Sequence, residues 1–450
     1  MRRVIICGAA GRDFHTFNTV FRDDPHVEVV AFTATQIPGI AGRVYPAELA
    51  GHRYPAGIPI IAEEHLDEWV VAHGIDEVVH AYSDVSHADV MHLASRALAA
   101  GASVRFEGPA ATMLESVKPV VAVCAVRTGC GKSQVSRAVG SLLADAGLRV
   151  ALVRHPMPYG DLVAMRAQRF ATLDDLDAAE PTIEEREEYE PALADGLVVH
   201  AGVDYGEVLA AAEADADVIV WDGGNNDQPF FAPDLLIVVA DPLRAGHELR
   251  YHPGEANLRM ADVVLIGKTD VADPGDVERV AASVAAVNPG ATIVRAASPV
   301  SLDTGPSLAG ARVLVVEDGP TTTHGEMGYG AGLVAARDAG AVVEDPRRFA
   351  AGEVADTLAR HPHLEHVLPA MGYSASQLAD LRKTIENAAP DAVVAGTPID
   401  LGRVLGAVAA PVRRARYSHA DAGVPGLADV VAPVIACATE AIPRRAPRRT

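Results

Sequence analysis

An apolar run at residues 120–125 leads straight into Val126-Arg127-Thr128-Gly129-Cys130-Gly131-Lys132-Ser133, and a helix-like segment follows at 134–146. A β-strand that halts at a glycine-rich loop and resumes as a helix narrows the choice of fold sharply. It points successive backbone N–H groups and the positive end of a helix at one place, and that place suits phosphate. Thr128, Gly129, Cys130 and Gly131 would wrap a nucleotide's phosphates with main-chain N–H groups, Lys132 would neutralise the β- and γ-phosphates, and Ser133 would hold Mg²⁺. Cys130 reads as a small spacer, because only backbone faces phosphate there. Val126 stands where such a loop usually has its first glycine.

A second element is expected downstream. Ala216-Asp217-Val218-Ile219-Val220-Trp221-Asp222 is a β-rich run ending in a carboxylate, and Gly223-Gly224-Asn225-Asn226-Asp227 follows. Asp-Gly-Gly is also good turn chemistry. Beside a phosphate loop, a strand-end Asp can hold Mg²⁺ directly or through water, and Asp222 is assigned that role. Arg127 stands where the deviant phosphate loops of the nitrogenase-iron-protein and septum-site ATPase class carry an extra lysine, so the loop resembles theirs.

The chain of 450 residues has room for two or three domains. Its 60 acidic and 38 basic residues give a net charge of −22, and no long basic run precedes the Arg-rich tail at Arg444, Arg445, Arg448 and Arg449. General nucleic-acid binding, which needs a basic face, is excluded on that ground. An anionic substrate needs a local cationic pocket instead. Cys7, Cys124, Cys130 and Cys437 have no metal-ligand spacing, which fits reduced thiols in a cytoplasmic protein. No apolar run approaches a membrane span.

Strands alternate with helices along the whole chain, so the expected fold class is α/β with parallel sheets. Residues 1–118 read as an N-terminal Rossmann-like domain, with strands at 3–7, 27–32, 75–80 and 103–106, a Gly8/Gly11 turn, and the polar segment 12–18. Residues 119–310 read as a P-loop nucleotide-binding core of the deviant Walker A class, and 311–450 as a C-terminal α/β domain with strands at 312–316, 365–368 and 392–395. The acidic stretch 174–190 reads as a solvated helical face. Strand ends deliver Arg154 and His155, then Arg244, His247 and Arg250, a concentration of Arg and His that suits a polyanion in so acidic a protein. Gly267-Lys268-Thr269-Asp270 is similar to the base-reading Asn-Lys-x-Asp loop of GTPases with Gly for Asn, and Asp270 is the candidate contact to the base.

The stretches 11–18, 126–133, 153–161, 221–227, 317–330 and 396–401 together resemble the cyclic 2,3-diphosphoglycerate synthetase family, over nearly the whole length. The resemblance implies ATP-dependent closure of 2,3-diphosphoglycerate into an intramolecular phosphoanhydride, with ATP, Mg²⁺ and K⁺ as the candidate cofactors. In that chemistry ATP's γ-phosphoryl passes to one substrate phosphate and the other then expels inorganic phosphate. Lys132, Arg127 and Asp222 would serve the transfer, while Arg154, His155, Arg244, His247 and Arg250 would clamp the acid. The class also implies a homodimer across the nucleotide face. The rival expectations are a nucleotide-hydrolysing switch or metallochaperone, and a kinase acting on another phosphorylated acid.

Overall fold

Parallel pairing dominates the chain, as runs of Val, Ile and Ala separated by helices require. The computed structural model describes residues 1–35, 40–156, 160–224, 227–323, 327–371, 374–406 and 408–440. Asn225, Asn226 and the Arg-rich tail lie outside them. By their internal contacts the residues form two units: Met1–Phe170 with Leu197–Ala296 and the segment from Asp421 onward, and Ala171–Gly196 with Ala297–Ala420. The expected segments 1–118 and 119–310 thus share the first unit, except for 171–196 and 297–310.

The first unit carries two sheets. In the N-terminal one, β1 (Arg2–Cys7), β2 (Val27–Ala34), β3 (Val44–Tyr45), β4 (Ile58–Ala62) and β5 (Glu77–His80) are joined by β7 (Ser103–Phe106). Their order is β3-β4-β2-β1-β5-β7, parallel except at the β3/β4 edge. Without that edge strand the order is the doubly wound half-fold that binds ligands at the carboxyl ends of its strands. Between β5 and β7 lies β6 (Val85–Ser86).

The larger sheet comprises β8 (Val120–Ala125), β9 (Val150–Arg154), β10 (Gln168–Phe170), β11 (Val198–Ala201), β12 (Val218–Gly223), β13 (Leu235–Ala240), β15 (Val263–Ile266) and β16 (Thr292–Ala297), with a short strand Ala420–Asp421 at its far edge. Its order, β10-β11-β9-β12-β8-β13-β15-β16, puts β8 in the middle. Every residue of β8, β9, β12 and β13 is buried, which is why these strands read as unbroken apolar runs. Strand, loop and helix Lys132–Asp145 in this setting form a P-loop core. A small ribbon, β14 (Tyr251–His252) antiparallel to β6, ties the N-terminal segment to the loops after β13.

In the second unit, β17 (Val300–Leu302), β18 (Arg312–Glu317), β19 (Val342–Val343), β21 (Ala392–Ala395) and β22 (Val412–Tyr417) take the order β17-β22-β21-β18-β19. The strand expected at 365–368 shrinks to β20 (Leu368–Pro369), beside β18. Leu314, Val315, Val393 and Val394 centre the core. The acidic stretch differs from expectation. Helix Ile183–Ala194 starts with a Thr182/Glu185 capping box and buries Glu185, Glu187 and Glu190. Glu187 accepts from the Thr397 hydroxyl at 2.7 Å, and Glu190 from the Asp400 N–H at 3.0 Å and from Arg186 at 2.7 Å. Satisfied donors make that burial tolerable, and a linear charge pattern does not reveal them.

Candidate functional site

Gly131, at φ +99°, takes the left-handed conformation that lets the chain turn from β8 into the first residue of helix Lys132–Asp145. Lys132 is therefore held at the helix start and buried. Its Nζ donates to the Asp222 carbonyl at 2.5 Å and to Asp222 Oδ1 at 2.7 Å, and Ser136 Oγ donates to the same oxygen at 2.7 Å. Arg154, only 1% exposed, pairs with Asp222 Oδ2 and reaches Ser133 Oγ at 3.4 Å. Two buried cations thus share one carboxylate, leaving net positive charge at the loop. Burial and then the Arg154 charge hold the Lys132 pKa well below its ordinary value. An arriving phosphate would relieve that repulsion.

Arg154, expected to clamp the acid, pairs with Asp222. Arg244 is likewise engaged elsewhere. Its Nη2 donates to the Thr128 carbonyl at 2.7 Å, and Asp241 holds the same group at 3.1 Å. Lys268 repeats the arrangement, donating to the Gly129 carbonyl and to Asp241 Oδ2, both at 2.8 Å. Arg244 and Lys268 therefore brace the Thr128 and Gly129 carbonyls of the phosphate loop, while the Thr128 N–H donates to Asp84 Oδ1 at 3.4 Å. Asp270 lies exposed in the turn after Lys268.

Arg127 is held within its own chain. Its Nε meets Asp84 Oδ1 at 3.0 Å, its Nη1 meets His247 Nδ1 at 3.2 Å, and its guanidinium lies 3.7 Å from the Tyr251 ring centre. Burial, followed by the Arg127 charge, pushes the His247 pKa down. His247 is thus a neutral neighbour of Arg127, and Arg250 is exposed on the following turn. His155, buried, contacts Asp227 Oδ2 through Nε2 at 2.8 Å and the Tyr205 hydroxyl through Nδ1. Gly224 is needed there, since a Cβ would come within 2.2 Å of the His155 ring. The five expected clamp residues are accordingly split: Arg154 at Asp222, His155 at Asp227, Arg244 under the loop, and His247 and Arg250 beyond Arg127.

Cys130 is buried and its thiol is pushed up to about 11 by that burial, as a spacer would be. Among the described residues no three His, Cys, Asp or Glu side chains converge on a metal position. A cation would thus have to use the exposed Ser133 hydroxyl, phosphate oxygens and one released oxygen of Asp222, a donor set that suits Mg²⁺. Sequence reasoning overlooked Asp84 and Asp241, and read Lys268 only as part of a base-reading loop. Asp241 and Lys268 follow the same rule as Asp222, a charged residue just past an apolar strand, and that rule could have found them. Nothing local marks Asp84.

No family model matches the chain. It is 57% identical over 431 residues, 96% of each chain, to the arginine synthetase ArcE of Thermococcus kodakarensis. Among solved structures, the "apo" form of LpxK from Aquifex aeolicus in complex with ATP aligns at TM-score 0.43 and 13% identity, covering 72% of this chain and 90% of that one. Cobyrinic acid a,c-diamide synthase from Mycobacterium smegmatis, with a bound ATP analogue and magnesium, aligns at TM-score 0.18 and 18% identity over 40% of this chain and 72% of that one. Those two structural likenesses are too distant to bear on the chemistry.

Proposed function

The chain belongs to the family of the arginine synthetase ArcE, and we propose that it is itself an ATP-dependent synthetase that forms arginine by aminating a ureido amino acid. What carries this reading is the 57% identity over 96% of both chains. The phosphate loop supports it chemically. A guanidinium carbon can be made from a ureido carbon by exchanging oxygen for nitrogen, but that oxygen is a poor leaving group. Transfer of ATP's γ-phosphoryl to it forms one P–O bond, breaks the bond to ADP and creates a phosphate leaving group. Ammonia then adds to the carbon, the C–O bond breaks, phosphate departs and the new nitrogen loses a proton.

Phosphoryl transfer depends on alignment and charge neutralisation more than on covalent help. In this reading the N–H groups of Thr128, Gly129, Cys130 and Gly131 hold the β-phosphate, and Lys132 leaves Asp222 for the β- and γ-phosphates. Arg154 remains on Asp222 and keeps that carboxylate in place. Ser133 and Asp222 would hold Mg²⁺, which neutralises phosphate charge when bound. Arg127 positions the loop from the side through Asp84.

Cyclisation of 2,3-diphosphoglycerate shares the first half of this chemistry, and the motif likeness favours it as the second reading. It needs several cations at the acceptor, and Arg154 and Arg244 are each paired with a carboxylate. The homodimer expected of the P-loop class belongs to the same proposal, and a monomer by light scattering with and without nucleotide would remove it. To choose between acceptors, purified protein is given Mg-ATP, L-citrulline and ¹⁵N-ammonium, and separately Mg-ATP with 2,3-diphosphoglycerate. ADP, phosphate and ¹⁵N-arginine in the first mixture support the proposal. New phosphoanhydride resonances in the second, with no labelled arginine in the first, would replace it by the cyclisation reading.

A further inference from the structure

Within the first unit, the loops leaving β1 and β5 meet the loops leaving β8, β9 and β12. Asp84 pairs with Arg127, and the Cβ position of Gly11 lies 3.2 Å from the His155 ring. Next to Gly11, Arg12 is only 7% exposed. Its Nη2 donates to the Glu107 carbonyl at 3.2 Å, while its Nη1 is buried and has no hydrogen-bond partner. Asp227, which acts electrostatically on Arg12, is 6% exposed. His155 fixes its Oδ2, and its Oδ1 is buried and accepts no hydrogen bond. Asp227 is the largest favourable charge acting on Arg12. Burial pushes the Asp227 carboxyl up, but the His155 hydrogen bond, the charges of His155 and Arg12 and a weaker side-chain hydrogen bond from Ser83 outweigh it.

Buried opposite charges within reach of each other usually join in a fork of hydrogen bonds. Here each keeps a bare polar atom instead, a costly state for a buried group. Of the other titratable neighbours, burial keeps His15 (about 3) and His252 (about 4) neutral at pH 7, while Glu107, paired with Arg105 at 2.6 Å, and then Asp13 are the next charges acting on Arg12. Asp13 is occupied with the Ala10 and Phe14 N–H groups, both at 2.7 Å. One bare donor on a cation and one bare acceptor on an anion complement a zwitterion, whose carboxylate and ammonium sit on a single carbon.

We propose that Arg12 and Asp227 bind the α-amino-acid end of the acceptor, with Arg12 Nη1 donating to its carboxylate and Asp227 Oδ1 accepting from its ammonium. His155 and Tyr205 are positioning residues that hold Asp227 from behind. The assignment rests on the arginine-forming reading, and it sets the substrate class as a free α-amino acid rather than a peptide or an amine.

Calorimetry with L-arginine, agmatine (no carboxylate) and 5-guanidinopentanoate (no amine) tests it on the wild-type protein. Each analogue should bind about ten- to a hundredfold more weakly than arginine, the loss of one charge-assisted contact. Arg12→Gln should weaken arginine to the level of agmatine and leave agmatine unchanged. Asp227→Asn should do the same with respect to 5-guanidinopentanoate, and ATP affinity should hold in both variants. Analogues that bind as well as arginine would overturn the proposal while turnover with ¹⁵N-ammonium keeps the functional reading. Arginine that fails to bind, together with absent turnover, would overturn the functional reading and this proposal with it. Should either variant fail to fold, the wild-type analogue series decides alone.

Discussion

Asp222 near the end of β12 and Glu317 at the end of β18 are both 2% exposed, yet the two units stabilise these strand-end carboxylates in opposite ways. Asp222 faces two cations, Lys132 and Arg154. Glu317 faces main chain only: Leu333 N–H donates to it at 2.7 Å, and Cβ atoms at Gly330 or Gly396 would come within 2.4 Å or 2.0 Å of its oxygens. Burial pushes the Glu317 carboxyl up to about 7, against the pull of the Leu333, Gly332 and Gly330 N–H groups, with Asp318 adding to the rise. A carboxylate fixed by side-chain cations can trade one of them for a ligand. One caged by backbone can only gain or lose a proton. The first arrangement suits chemistry and the second suits architecture.

The largest expected effect removes the exchangeable cation. Lys132→Ala should lower turnover by about a hundred- to a thousandfold, the usual scale for a preorganised electrostatic contact to a transition state. Its fold should survive, because Arg154 still compensates Asp222. Turnover within tenfold of wild type would show that Asp222's partners are structural like those of Glu317, and the comparison would collapse.

Arg154→Met attacks the permanent partner instead. Breaking a buried pair from one side costs about 3 kcal/mol, read from the urea midpoint and slope. An unchanged midpoint would mean that Lys132 alone suffices for Asp222.

For Glu317 the effect is one of pH. Below the ordinary carboxyl value both folded and unfolded states are protonated. Between about 4.5 and about 7 the unfolded chain ionises first, so the folded state binds more protons and stability falls as pH rises. The loss approaches about 3 kcal/mol by pH 8. Glu317→Gln should keep the Leu333 contact and flatten this slope between pH 5 and 8 in denaturation. An identical slope in the variant would assign the pH dependence to another group.

The smallest effect tests the loop brace. Arg244→Ala should weaken ATP by about tenfold, one charge-assisted hydrogen bond, with the acceptor's KM unchanged. A rise in the acceptor's KM alone would return Arg244 to the substrate clamp.

The phosphate loop was legible because its parts are adjacent: β8, Gly129, Gly131, Lys132 and Ser133 follow one another, and local conformation links them. Asp222 was legible for a similar reason, as a carboxylate ending an apolar strand. The parallel sheets followed from alternating apolar runs and helices. The cation cluster was legible as charge and illegible as geometry. Arg154 and His155 are adjacent in sequence, yet successive residues at a strand end point to opposite sides. One therefore reaches Asp222 and the other Asp227. Arg244 points back at Thr128 because Asp241, three residues earlier, draws its guanidinium there.

What the sequence determined by itself is everything fixed by neighbours along the chain: strand and helix periods, the left-handed glycine at 131, and the lysine at the start of a helix. Tertiary structure alone decided which charges meet. Asp84 reaches Arg127 across 43 residues, Arg154 reaches Asp222 across 68, and the bare atoms of Arg12 and Asp227 come from segments 215 apart. Partner choice among buried charges depends on distance and desolvation in the folded state. Neither quantity exists until both sheets have formed.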